Sequence, residues 1–277
     1  MDVRERSVSE GARDARISLI LTMLAQRGEL QVRYLPALLG VSGPTVRRDL
    51  AVMEDKGLVR RSYGRVAVAR HSAELPVSLR RSQNTEAKRR IGALACSLIP
   101  TRPLTVALSG GSTVGFAARL LASRANLTVV TNGLDTATVL ASRPVVDVVV
   151  TGGQARPLFN DLVGKTTEWA LRDYQFDFAM VGADGISPVA GVTQHSSSGA
   201  KVTRVMLEQA RKRIVLADSS KLGRVHAAKV ADSDAVHTVV TDSHANMDLV
   251  RSLRRLGLNV IVVAVPPAAK NTRRLPI

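Results

Sequence analysis

VSGPTVRRDLAVMEDKGLVRR, residues 41–61, is the stretch on which the fold turns. Ser42 is a good helix N-cap, and Pro44 falls in the first turn, where its missing N–H costs nothing. Val46, Leu50 and Met53 follow at i, i+4 and i+7 and predict one buried stripe, with Gly57 ending the helix. Thr45, Arg47 and Arg48 lie off that stripe, near the helix N-terminus. A helix that reads DNA needs this division: an apolar side held by its own domain, and donors and cations facing base edges and phosphates. Arginine suits bidentate contact with guanine O6/N7, or a phosphate. Two adjacent arginines alone fit a solvated surface helix equally well; the surroundings decide.

Upstream, Ile17, Ile20, Leu21 and Leu24 recur at helical spacing between Ala12 and Arg27, and Gly28 can end that helix. A short helix fits Arg33 to Leu39, provided Pro36 lies in its first turn, with Gly40 permitting a tight turn. Downstream, residues 58–69, LVRRSYGRVAVA, read as two strands around a turn at Tyr63-Gly64. Three helices and a small hairpin are the order of a winged helix-turn-helix. Arg60, Arg61 and Arg65 on the hairpin are placed to reach a DNA backbone or a minor groove.

Past residue 70 the pattern changes. Residues 70–82 contain Pro76 and show no periodicity, which predicts a linker; a helix is expected from about Asn84 to Leu98. Then apolar, β-branched runs alternate with helical segments: LTVAL (104–108), LTVVT (127–131), VDVVVT (146–151), FDFAMVG (176–182), RIVLAD (213–218), HTVVTD (237–242) and NVIVVAV (259–265). Runs this apolar suit strands buried on both faces of a parallel sheet. An α/β domain of that kind binds ligands at the carboxyl ends of its strands. The expected organisation is a polar tail (1–12), the winged helix-turn-helix (13–69), a linker and the start of a linking helix (70–90), the α/β domain (91–265) and a basic tail (266–277).

The segment ALSGGSTVGFAARLLA (107–122) follows a strand and opens a helix. Gly110 and Gly111 let backbone approach a ligand closely, Ser112 and Thr113 add hydroxyls, and a helix N-terminus supplies N–H groups and a favourable dipole. This would make a phosphate cradle, although plain turn chemistry also accounts for the glycines. It is not a Walker A loop, since no lysine follows them.

Both regions resemble the DeoR (deoxyribose-operon repressor) family of bacterial regulators. The family signature S-x-x-T-[IV]-R-R-D-L is met at Ser42, Thr45, Val46, Arg47, Arg48, Asp49 and Leu50, but its R-x-x-G-G wing is not: Arg61-Ser62-Tyr63-Gly64 leads to Arg65. The second half is similar in order and spacing: Glu74 and Pro76, Lys88 and Ile91, VVTNGL (129–134), TGG (151–153), Gly164, D-x-A-x-V-G-A-D-G (177–185), LADSSK (216–221) and VTD (240–242). The resemblance spans residues 14 to 262. It implies a Rossmann-like α/β effector domain related to ribose-phosphate isomerases and glucosamine-phosphate deaminases, used to sense a phosphorylated sugar or related metabolite. It implies effector contacts at Gly111, Ser112 and Thr113 together with Gly110, at Asn132, at Lys221 and at Asp184, which lies where related isomerases carry an acidic sugar-facing residue. Two departures point to a more anionic effector or to a lost inducer response: Ser109 stands where Asp is usual, and Gly199-Ala200-Lys201 where acidic residues are frequent.

The remaining features narrow the function. Formal net charge is +16, which attracts a polyanion, and 18 of the 39 Lys/Arg fall within residues 1–90. The single Cys96 excludes an intramolecular disulfide and reads as a small core residue. No Cys/His set has metal-ligand spacing and no G-x-S-x-G motif occurs, so neither cofactor, metal nor catalytic residue is expected. Absence of a signal peptide or membrane span predicts a cytoplasmic location. His195 either faces a ligand or rides a polar loop, Trp169 reads as core or interface, and Asp218 shapes the loop that presents Lys221 or caps a turn. The expected partners are an operator in double-stranded DNA, a phosphorylated metabolite and further copies of the chain. The competing readings are a sugar-phosphate isomerase or deaminase fused to a DNA-binding domain, and a constitutive DNA-binding protein. The first is disfavoured because no Asp or Glu lies between Asp184 and Glu208 to serve as a base.

Overall fold

A computed structural model describes residues 13, 16–17, 19–21, 23–24, 27–55, 57–69, 76–156 and 159–266. The expected polar tail, Glu74 with the rest of 70–75, and the basic tail beyond 266 lie outside the described residues. The chain forms two compact units, residues 1–83 with 156–159 and residues 84–155 with 160–277.

In the first unit the described positions between 13 and 27 are helical (α1). There follow β1 (Glu29–Gln31), a 3-10 turn (Val32–Tyr34), α2 (Leu35–Leu39), α3 (Gly43–Asp55), β2 (Val59–Ser62), β3 (Arg65–Val68) and α4 (Val77–Ser82). Pro36 sits in the first turn of α2, as its chemistry requires. Ile17, Ile20, Leu21 and Leu24 of α1 share one core with Val46, Leu50 and Met53 of α3 and with Leu58, Val59 and Val66. Beyond α3, Gly57 takes a φ of 63°. Its N–H reaches Glu54 O at 2.9 Å and that of Leu58 reaches Met53 O at 2.8 Å, which closes the helix in a Schellman motif. The sheet runs antiparallel in the order β1-β3-β2. Two of its features depart from expectation: β1 adds a third strand to the hairpin, and α4 occupies the second half of the stretch read as linker.

The second unit opens with α5 (Thr85–Ser97) and β4 (Leu104–Leu108), α6 (Val114–Leu121), β5 (Leu127–Thr131), α7 (Leu134–Ala141) and β6 (Val146–Val150). A short pair, β7 (Gln154–Arg156) and β8 (Asp161–Val163), leads to α8 (Lys165–Arg172) and β9 (Phe176–Gly182). Then come β10 (Gly185–Ser187), β11 (Gly191–Gln194), α9 (Ser197–Glu208), β12 (Ala210–Leu216), β13 (Ala228–Ala231), β14 (Thr238–Asp242), α10 (Met247–Arg255) and β15 (Asn259–Val263). Seven strands form one parallel sheet in the order β15-β14-β12-β9-β4-β5-β6. Alternate residues feed two cores: Ala107, Val130, Val181, Val215 and Val239 on one face, Val106, Leu108, Val129, Met180 and Leu216 on the other. Burial on both faces is why the runs of the inner strands are so apolar, while the edge strands β6 and β15 are only partly buried.

Chain order reverses direction across the sheet at β4, with β5 and β6 on one side and β9, β12, β14 and β15 on the other. The crevice at such a switch point, outside the carboxyl ends of β4 and β9, is where doubly wound folds bind ligands. A small antiparallel sheet, β10-β11-β13, stands over that end of β9 and β12. Trp169 on α8 is 65% exposed and so is not a core residue. Cys96 is half-buried against the second core, its thiol donating to Ala117 O at 3.4 Å. Burial pushes its pKa up to about 12, against a small opposing effect of Arg124. Among the described residues no helix is long and apolar enough to cross a membrane.

Candidate functional site

On α3 the Ser42 hydroxyl accepts from Thr45 N at 3.4 Å and lies 2.9 Å from Thr45 Oγ1. Ser42 therefore fixes where the helix begins. Arg47 and Arg48 project from the opposite side to the buried stripe, exposed and without an ion pair to any described residue. Between them and Leu50 sits Asp49, only 1% exposed. Arg16 of α1 holds its carboxylate in a fork, Nε to Oδ2 at 2.7 Å and Nη2 to Oδ1 at 3.2 Å, and Arg13 approaches to 3.7 Å. The hydrogen bond to Asp49 raises the pKa of Arg16 against the lowering effect of burial. Asp49 is thus a brace between α1 and α3. The sequence carried a signal for it: an acidic residue three places after Val46 lies on the apolar face and needs a cation, and α1 offers two.

The wing arginines are not equivalent. Arg61 bonds Glu54, in the last turn of α3, through Nε at 2.7 Å and Nη2 at 2.6 Å, which holds the Glu54 carboxyl below its usual value. Arg65 pairs with Glu29 of β1. Arg60 is exposed with no ion pair among the described residues. Tyr63 and Gly64, at φ 45° and 74°, form a two-residue turn closed by the pair Ser62–Arg65. Arg65 itself is extended in β3, so the turn needs one glycine and the second glycine of the wing signature is dispensable here.

In the second unit the loop after β4 is held from three sides. Ser109 Oγ accepts from Gly182 N at 3.1 Å and donates to Gly110 O at 2.9 Å, tying the loops after β4 and β9. Gly110 N donates to Asn132 Oδ1 at 3.0 Å, and Asn132 Nδ2 to Leu162 O at 2.9 Å. Asn132 is therefore a bracket under the glycine loop. A Cβ at Gly133 would stand 2.7 Å from Gly110 Cα, so the two turns touch only because both are glycine. Gly111 takes φ 120° and leads into α6, with Ser112 and Thr113 nearly buried and their hydroxyls without a partner among the described residues. Hydroxyls at a helix N-terminus are chemistry suited to a phosphate.

Across the switch point, Asp184 is 5% exposed and its carboxylate accepts from His195 N at 3.1 Å. His226, absent from the sequence reading, places Nε2 3.2 Å from Asp184 O, and its ring centroid lies 3.7 Å from that of His195. After β12, Lys221 ends a 3-10 turn (Ser219–Lys221). Asp218 caps that turn, accepting from Ser220 N at 3.1 Å, and Asp242 Oδ2 accepts from Ser219 N at 2.6 Å. Asp218 also takes Asn84 Nδ2 at 3.0 Å and faces Lys88 Nζ at 3.5 Å, the lysine being only 3% exposed. Burial alone pushes the Asp218 pKa up; the Lys88 charge, the Ser220 and Asn84 hydrogen bonds and Lys221 outweigh it and hold it down. Of the candidates, Gly110, Gly111, Ser112, Thr113 and Asn132 gather on the β4 and β5 loops, Asp184 on the β9 loop and Lys221 on the β12 loop.

The chain matches the family described as DeoR-like helix-turn-helix domain over residues 16–72, and that described as DeoR C terminal sensor domain over residues 83–243. A putative aga operon transcriptional repressor of Escherichia coli O157:H7 is 34% identical over 88% of this chain and 91% of its own. The HTH-type transcriptional repressor GlcR of Bacillus subtilis is 31% identical over 90% and 96%. The glycerol-3-phosphate regulon repressor of Escherichia coli K12 is 27% identical over 83% and 96%. Among solved structures, ribose 5-phosphate isomerase A of Methanocaldococcus jannaschii aligns at 19% identity and TM-score 0.38 over 50% of this chain and 55% of that one, too loosely to carry an argument.

Proposed function

The chain belongs to the DeoR family of transcriptional regulators, and from that premise we propose that it is a repressor which grips or releases its operator according to a phosphorylated sugar or related metabolite. It is a regulator, not an enzyme, as are the relatives named above. The observation that carries the DNA reading is the two-sidedness of α3: Val46, Asp49, Leu50 and Met53 are buried while Arg47 and Arg48 are exposed. Arg47, Arg48 and Thr45 read base edges or phosphates, with Ser42 starting the helix. On the wing Arg60 meets the backbone, while Arg61 ties the wing to α3 and Arg65 ties it to β1, both contributing positive potential. Gel shifts on the chain's own promoter DNA test this: the R47A/R48A double variant loses specific binding, and unchanged binding refutes the assignment.

The effector's phosphate lies at Gly110–Thr113, with Lys221 neutralising it from the β12 loop, Asn132 fixing the loop and Asp184 facing the sugar. One relative is named for a glycerol-3-phosphate regulon, which supports a phosphorylated polyol as the ligand class. Lys221→Ala weakens effector binding and leaves operator affinity in the absence of effector unchanged; calorimetry and gel shifts read the two separately. The repressor acts in the cytoplasm as a homo-oligomer, because one short half-site supplies too little affinity and two linked ones raise avidity.

A further inference from the structure

We propose that the paired imidazoles of His195 and His226 are a hydroxyl-reading subsite for the carbon chain of a sugar phosphate, which rests on the reading of the glycine loop as the phosphate site. The positions fit such a ligand. β4, β9 and β12 are consecutive in the sheet, so the glycine loop and the β12 loop are two strand spacings apart, about 10 Å. A phosphorylated five- or six-carbon chain bridges that distance. Gly182 joins the two ends: its N–H bonds Ser109 beside the glycine loop, and its carbonyl accepts from Gln194 Nε2 at 3.2 Å, next to His195.

The histidines are held there by design of the backbone. A Cβ at Gly185 would stand 2.4 Å from Arg224 O, so only glycine lets the loop carrying His226 lie on the end of β9. His226 N then donates to Thr193 Oγ1 at 3.0 Å. Its Nε2 faces the Asp184 carbonyl, which can only accept, so Nε2 carries the proton. In the neutral ring Nδ1 is left as an acceptor with no partner among the described residues. His195, whose ring lies against that of His226, holds the Asp184 carboxylate through its backbone N–H, so an imidazole acceptor and a carboxylate share one loop cluster, which matches hydroxyl donors and repels an anion. The ligand's phosphate is thereby directed to the other end of the crevice, and the ligand is given a polarity. Metal binding is not the use of this pair, because no group of three His, Cys, Asp or Glu among the described residues is arranged to hold an ion.

The test is calorimetry on the full chain with inorganic phosphate and with a panel of pentose and hexose phosphates. Wild type binds at least one sugar phosphate about tenfold or more tighter than inorganic phosphate. His226→Ala and His195→Ala each lower the affinity for that sugar phosphate about tenfold, leave inorganic phosphate within about twofold, and leave operator binding in the absence of effector intact. His226→Gln, which keeps a donor and an acceptor, restores part of the loss; it also serves if the alanine variant does not fold. Wild-type sugar-phosphate affinity in both alanine variants, or equal loss for sugar phosphate and inorganic phosphate, overturns the subsite alone. Failure of every phosphate compound to bind wild type overturns the effector reading and this one together.

Discussion

Asp49 and its neighbours Arg47 and Arg48 show how burial separates two roles within one short motif. The arginines are exposed and make no ion pair with any described residue, so their loss leaves stability within about 0.5 kcal/mol. Arg16→Ala instead strands the Asp49 carboxylate, 1% exposed, without its fork. Breaking a fully buried pair costs about 3–5 kcal/mol; Arg16 is 21% exposed and Arg13 stands by, so about 1–3 kcal/mol is expected. Urea denaturation measures it, and an R16A variant as stable as wild type would contradict the brace. The division of α3 into a buried stripe and exposed arginines was legible because that pattern is local. That Asp49 needs a cation could be read there too; which residue supplies it could not, since that depends on where α1 crosses α3. His226 was invisible for the same reason: its partner, Asp184, is 42 positions away in the chain.

At the scale of elements, the seven apolar runs located the seven strands of the parallel sheet because burial on both faces of its inner strands favours apolar, β-branched residues. The five short strands β7, β8, β10, β11 and β13 escaped notice: with three or four residues apiece they show too little alternation to stand out. α4 was missed because six residues give fewer than two helical periods, and Pro76 before it reads equally as a linker signal or a helix start. The element with most at stake is α5. Lys88 on its first turns is buried against Asp218 of the β12 loop, so Lys88→Met removes the nearest charge from a buried carboxylate that keeps its Ser220 and Asn84 hydrogen bonds, and costs about 1–3 kcal/mol near neutral pH. Acid distinguishes this from simple loss of packing. Asp218 is held below its ordinary 3.8 in the fold, so the unfolded chain takes up its proton more readily. Its stabilisation is whole above that ordinary value and is lost as pH falls through the depressed folded value. Denaturation midpoints of wild type and K88M should therefore converge in acid; a gap that does not narrow with falling pH contradicts the ion pair.

The whole molecule carries a formal net charge of +16, and its attraction to DNA is correspondingly salt-dependent. Arg60→Ala, which removes one exposed wing cation, should flatten the slope of log affinity against log salt by about one and weaken operator and random DNA alike. A change confined to one operator sequence would instead make Arg60 a base reader. Light scattering at micromolar concentration should find a dimer or a larger assembly, and operators should repeat their half-sites about a helical turn or its multiples apart. A monomer both alone and on DNA would remove the avidity argument. Measuring these assemblies is eased by Cys96, the chain's sole cysteine, whose thiol is pushed to about 12. Thiolate, not thiol, reacts with maleimides, and at neutral pH almost none is present at that site. The native chain is in effect a blank background for thiol labelling. One cysteine introduced at the wing tip, in place of the exposed Tyr63, would take a dye at a single address, so that energy transfer between copies reports how far apart two wings stand with and without effector.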